Sequence, residues 1–227
     1  MEFTPPNAPL VVLAFLGLGA VLALTALVFL GAAVLRKTSL LPWIGGFGAL
    51  IVILYAGVLL ADSALSRERT LERGEKKYFC EIDCHLAYSV EDVELSDTVG
   101  PPQQPLRANG RWHLVRLKTW FDPKTISPRR GDSPLTPNPR VVYVRDALGH
   151  RYEPSERAGS ALAAAGRPST PLTQPLRPGE SYETLLAFDL PVEAPWSRLY
   201  VGDDDPVTFL LVGHEESPFH RKIWFRI

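Results

Sequence analysis

Apolar residues run almost unbroken from residue 10 to residue 35 and again from 40 to 61, with only Arg36-Lys37-Thr38-Ser39 between them. About 20 apolar residues cross a bilayer core as a helix, so each run is long enough to span, and neither contains a charged residue. The pattern predicts a two-helix transmembrane hairpin over residues 1–62, both ends of which emerge on one side of the membrane. Residues 63–77 are charged and rich in helix formers, and they read as a helical stalk continuing the second span.

From Tyr78 the period changes to two. Leu86, Tyr88 and Val90 alternate with smaller or polar neighbours, as do His113, Val115, Leu117, Thr119 and Phe121, and then Tyr182, Thr184, Leu186, Phe188 and Leu190. Such alternation marks half-buried strands. Residues 140–145, 198–201, 207–212 and 221–227 are four further strand candidates, and Gly149 supplies a hairpin turn in residues 146–150. Seven or eight short strands separated by Pro/Gly turns predict an all-β, two-sheet sandwich of Ig-like kind over residues 78–227. Residues 98–109, 123–139 and 155–178 are rich in Pro or Gly and read as long connections, with one or two helical turns in 160–165.

Charge sharpens this division. Residues 1–62 carry only Glu2, Arg36, Lys37 and Asp62, whereas all five histidines and both cysteines lie beyond them. The balance of 24 basic against 25 acidic residues argues against nucleic acid as a partner. A cleaved signal peptide needs a cationic start and a shorter apolar core; residues 1–9 hold no Lys or Arg, so the first helix is read as retained. Arg36 and Lys37 in the link favour a cytoplasmic turn with both termini outside. Arg67, Arg69, Arg73, Lys76 and Lys77 after the second span pull the other way. The reading adopted is a bacterial inner-membrane protein with a periplasmic domain.

Within the hairpin, Gly19 and Ala23 in the first helix and Gly45 and Ala49 in the second lie four apart, a spacing that lets helix backbones approach closely. Further glycines at 17, 31, 46, 48 and 57 offer more small surface than one helix pair needs, which points to docking against other membrane helices. Trp43, near the start of the second helix, suits an interfacial anchor.

The most chemical stretch is Cys80-Glu81-Ile82-Asp83-Cys84-His85. A Cys80 to Cys84 disulfide or a pair of structural thiols is the preferred reading. Four extended residues cover roughly 13 Å, whereas disulfide Cα atoms sit about 4.4 to 6.8 Å apart, so a disulfide requires a turn here. The alternative is copper: two thiolates and the His85 imidazole suit Cu(I), with His214 or His220 completing the set if the fold brings them near. Two cysteines with three residues between them resemble the ligand loop of the oxidase dinuclear copper subunit and of copper-delivery thioredoxin-like proteins, but the expected further histidine and methionine do not follow. Covalent haem ranks third, because its motif has two residues between the cysteines rather than three.

Other marks are weaker. Arg130-Gly131-Asp132 is explained by turn chemistry, and Asp203-Asp204-Asp205 lacks the spaced ligands of a cation loop. No phosphate-binding glycine loop, zinc-protease helix or nucleophile elbow is present in the sequence, so no enzyme is expected and no cofactor is assigned.

Tyr78-Phe79-Cys80-Glu81-Ile82-Asp83-Cys84-His85-Leu86, Trp120-Phe121-Asp122, Pro178-Gly179-Glu180-Ser181, Phe188-Asp189-Leu190-Pro191 and the tail from Glu216 to Lys222 together resemble an uncharacterised family of bacterial membrane-anchored Ig-like β-sandwich proteins. The resemblance implies a sandwich outside the membrane and no established activity. The expectation is a non-enzymatic accessory subunit that docks among the transmembrane subunits of a larger complex in the lipid bilayer, a respiratory or photosynthetic assembly first. A copper-handling or electron-transfer protein is the alternative.

Overall fold

A computed structural model describes the chain except for residues 1, 4–7, 80–84, 126–128 and 195. The backbone clusters into two units. One comprises Pro6–Arg67 with Asp205–Arg221, and the other Met1–Pro5, Glu68–Asp204 and Lys222–Ile227.

The first unit is built on α1 (Ala8–Val34) and α2 (Leu41–Leu65). Leu and Ala, both strong helix formers, dominate α1, and Pro42 at the start of α2 occupies a position whose amide has no intrahelical partner anyway. Arg36 ends the first helix in the left-handed region, φ 54°, while Lys37 N donates to Ala32 O at 2.9 Å. The seam between the helices runs through Phe15, Leu18, Leu22 and Thr25 on α1 and Ile44, Gly48, Ile51, Tyr55 and Leu59 on α2, an i, i+3/i+4 stripe on each. The remaining surface is apolar and outward. Pro9–Val34 and Thr38–Leu65 are long and apolar enough to cross a membrane, with mean hydropathy 2.7 and 2.4, and 0 % and 6 % of those windows buried.

The predicted helical stalk is not formed. The helix stops at Leu65, where Ser66 turns to extended backbone, and residues beyond it enter strands β2 (Arg69–Leu71) and β3 (Lys76–Phe79). A helix here would stack Glu68 on Glu72 and Arg69 on Arg73, like charges four apart, whereas a strand finds backbone partners in a waiting sheet.

Counting a short β1 (Glu2–Phe3), the second unit continues with β4 (Leu86–Val99), β5 (Leu106–Phe121), β6 (Arg140–Arg145), β7 (Arg151–Tyr152), α3 (Glu156–Ala164), β8 (Ser181–Leu190), β9 (Arg198–Asp203) and β10 (Ile223–Arg226). They form two five-stranded sheets, ordered β1-β3-β4-β5-β8 and β2-β10-β9-β6-β7. All neighbours are antiparallel except β1 with β3 and β2 with β10. Tyr88, Val90, Val115, Leu117, Phe121 and Phe188 from the first sheet meet Val142, Val144, Leu199, Val201 and Phe225 from the second in one core. Each such large side chain contributes roughly 1.5–3 kcal/mol by leaving water.

The opposite face of the first sheet is covered by α3. Ser155 Oγ caps this helix by accepting from Ala158 N at 3.2 Å, and Ala158 and Leu162, four apart, pack on Trp112, Leu114 and Ala187. The outer face of the second sheet carries Tyr143, Tyr200 and Trp224 in mutual ring contact.

Two further expectations are corrected. Half of residues 98–109 is strand: β4 runs to Val99 and β5 starts at Leu106, so the connection is only the tip of a long hairpin. A Cβ on Gly110 would lie 2.0 Å from Leu190 O, so only glycine fits where β5 meets the end of β8. Residues 207–212 are not a strand. Pro206–Leu210 is a 3₁₀ turn, with Pro206 at its start and Asp205 accepting from Val207 N at 2.9 Å, and this local capping outcompetes the alternation of Val207, Phe209 and Leu211.

Candidate functional site

The cysteine motif is represented by His85 alone, since residues 80–84 lie outside the described residues. His85 opens the approach to β4 and is buried, its ring 5.4 Å from that of Phe121, and its carbonyl accepts from Asp122 N at 2.8 Å. Asp122 is the hub of this end of the sheet. Its carboxylate accepts from Tyr78 OH at 2.8 Å and from Lys124 N at 2.9 Å. Burial first, and then the Asp122 carboxylate, hold the Tyr78 phenol above the ordinary tyrosine range, so it remains a proton donor. Lys76 Nζ lies 3.5 Å from the centre of the Trp120 ring, which Tyr78 meets edge-on. This geometry pins the ends of β3, β4 and β5 together.

Among the described residues no group of three or more His, Cys, Asp or Glu is placed to hold a metal. His214 and His220 belong to the helix-pair unit, and their ring nitrogens have local partners: His214 Nδ1 accepts from Glu216 N at 3.1 Å, and His220 Nδ1 contacts Arg221 O at 2.8 Å.

Of the predicted helix-packing residues, Gly45 faces Phe29, with 3.7 Å between an added Cβ and the ring, while Gly19 would meet nothing within 4 Å. Ala23 and Ala49 are exposed. The close approach is at Gly48, whose added Cβ would lie 3.5 Å from Thr25 Cγ2. A groove of about 560 Å³ beside the seam is lined by Leu10, Leu18, Ile51, Leu54, Tyr55 and Val212, among others. Val212 belongs to Asp205–Arg221, and the Tyr55 hydroxyl donates to the Leu210 carbonyl of that same segment.

Four polar features escape the sequence reading. Lys77, counted there as a charge beside the membrane, is buried in the sheet unit, its amine 2.6 Å from Val201 O and 4.8 Å from the Tyr200 ring. Arg140 pairs with Asp203 inside the same unit and lies 4.1 Å from the Phe79 ring. Bonds from cations to carbonyls and rings across the core fix the register of the sheets, at a desolvation cost that hydrogen bonding offsets. A cleft of about 570 Å³ is lined by His113, Trp196, Arg198 and Arg226, and burial, then the nearby Arg111 charge, lowers the His113 pKa. Arg198 and Arg226 are paired with Glu68 and Glu72, so the cleft is not an unsatisfied cationic site. Asp146, at the β6–β7 turn, is pushed up by burial, but hydrogen bonds from His150 and Tyr152 outweigh this and hold it at about 2.

No family model matches this chain, and no curated protein matches it. Three solved structures are similar to it: a secreted protein of Mycobacterium tuberculosis, MPT63, a conserved hypothetical protein from Bacillus anthracis, and the yjhA protein from Bacillus subtilis. The first is 15 % identical over 73 % of this chain and 100 % of its own, with a TM-score of 0.43. The second is 18 % identical over 52 % and 82 %, at 0.40, and the third 11 % identical over 69 % and 98 %, also at 0.40. All three likenesses are low, and no activity passes from them to this chain.

Proposed function

We propose that this chain is a membrane-anchored accessory subunit without catalytic activity. Its helix pair is a transmembrane hairpin that docks among other membrane-spanning subunits of a bacterial inner-membrane complex, a respiratory or photosynthetic one first. Its two-sheet unit is an Ig-like sandwich on the periplasmic side. The observation that carries this reading is the outward apolar surface of α1 and α2: Leu13, Leu16, Leu24, Leu27, Leu30, Phe47, Ile53 and Leu54 are all exposed. Water does not tolerate an apolar surface of this extent, whereas lipid or neighbouring helices cover it. Gly17, Gly19, Gly31, Gly46 and Gly57 have open space where a Cβ would stand, which leaves room for a neighbouring backbone.

The test is extraction of the native membrane in mild detergent, affinity purification through a tag, mass spectrometry and an absorption spectrum of the eluate. Stoichiometric co-purification of membrane subunits, with pigment or haem absorbance, is expected. Migration of the chain alone overturns the docking role.

A further inference from the structure

We infer that Asp205–Arg221 is a third membrane contact, which lays Val207, Phe209 and Leu210 into the headgroup and acyl boundary of the bilayer. The inference rests on the reading of the helix pair as a membrane hairpin.

This segment clusters with the helices rather than with the strands that precede and follow it. From Pro206 to Gly213 it contains no charged residue, and the charges flank it, with Asp203, Asp204 and Asp205 before and Glu215, Glu216, Arg221 and Lys222 after. Val207, Phe209 and Leu210 are about half exposed, and Phe219 is 83 % exposed. These side chains sit at apolar depth. Tyr55, which donates to Leu210 O, stands on α2 roughly 10 Å along the axis from Asp62, the first charge beyond the span. Val212 extends the same surface into the groove between the helices. The occupant that fits is therefore lipid, whose acyl chains already cover the adjoining helix surface.

Backbone hydrogen bonding supports the same conclusion. Non-helical backbone enters an apolar medium only if its polar groups are satisfied within the protein. Thr208 N donates to Asp205 O at 3.1 Å, Leu211 N to Thr208 O at 3.2 Å, His214 N to Leu211 O at 3.2 Å and Ser217 N to His214 O at 2.9 Å. Tyr55 takes up the Leu210 carbonyl, and Arg221 N donates to Ser66 Oγ at 2.8 Å, tying the exit of the segment to the end of α2.

The test places a nitroxide label on single cysteines of the full chain, in which Cys80→Ser and Cys84→Ser remove the native thiols, reconstituted in phosphatidylcholine vesicles. Phe209→Cys is compared with Val28→Cys on α1 and Leu148→Cys in the exposed β6–β7 turn. The ratio of oxygen to nickel-chelate accessibility is expected to be several-fold higher at 209 and 28 than at 148. A water-like value at 209 with a lipid-like value at 28 overturns this inference and leaves the hairpin reading standing; water-like values at both overturn the hairpin reading itself. Should the thiol-free chain fail to fold, p-benzoylphenylalanine at position 209 of the unaltered chain gives the same answer: a photocrosslink to phospholipid supports the inference, and its absence beside a crosslinking position 28 overturns it.

Discussion

The two units of this chain differ in where their apolar side chains lie. In the sheet unit the large side chains Tyr88, Phe121, Phe188, Trp224 and Phe225 are buried, and most charged groups lie at the surface, with Lys77, Asp122 and Asp146 as buried exceptions. In the helix pair only Ala32 and Leu59 among the described apolar residues are buried, and most of the leucines face outward. One unit is held by what it buries within itself. The other turns most of its apolar side chains to its surroundings.

Substitutions that should behave oppositely in the two units sharpen this contrast. The largest expected effect is at Phe188, which is fully buried: Phe188→Ala should cost about 3–5 kcal/mol in denaturant unfolding of the sheet unit, followed in the detergent-solubilised chain. Leu24→Ala, on the exposed side of α1, should leave the same transition within about 0.5 kcal/mol. Equal losses at both positions would dissolve the distinction.

Next comes charge. Leu27→Arg should oppose membrane insertion by about 2.5–3.5 kcal/mol, read as a larger alkali-extractable fraction, whereas Leu148→Arg at an exposed turn should not alter extraction. An extraction profile unchanged by Leu27→Arg would argue that α1 does not face lipid.

A smaller effect is local to the sheet unit. Ser155→Ala removes the cap of α3 and should cost about 1 kcal/mol, seen as faster amide exchange over Glu156–Ala164 with the core strands unaffected.

Acid supplies the last comparison. The Asp146 carboxyl is held at about 2 in the fold, below its ordinary value near 3.9. The unfolded chain therefore binds the proton first. The contribution is full above about pH 4 and is lost as the pH falls through about 2. The stability difference between wild type and Asp146→Asn should shrink across that window, in a unit remote in sequence from the uncharged spans, and a difference that stays constant would remove Asp146 from the acid response.

Much of this architecture is legible in the chain. Charge-free runs disclose α1 and α2 because lipid-length helices have a simple signature, and alternation discloses β6 and β8 nearly to the residue. Alternation fails at Val207, Phe209 and Leu211, because period two reports only where side chains point, whereas Pro206 and Asp205 decide the backbone locally. It also fails at Arg69-Thr70-Leu71, where a charged sequence becomes strand only through its pairing with distant β10. Lys77 is the sharpest case: nothing nearby in sequence announces that its amine is received by Val201 O. At the candidate site, His85 is described and enclosed beside Phe121, while residues 80–84 stand outside the described residues, so the chemistry of that motif is carried by sequence alone.

Pairing of β2 with β10 also sets an order of events during synthesis. Arg69, Thr70 and Leu71 emerge from the ribosome soon after the second helix, but their partners Ile223, Trp224 and Phe225 come at the far end of the domain. At some 5–20 residues per second many seconds pass between synthesis of β2 and synthesis of the strand that pairs with it. During this interval β2 has an open edge, and closure over so long a separation is intrinsically slow. A nascent chain stalled before residue 223 would therefore remain sensitive to protease in the sheet unit, however completely its first two helices had formed.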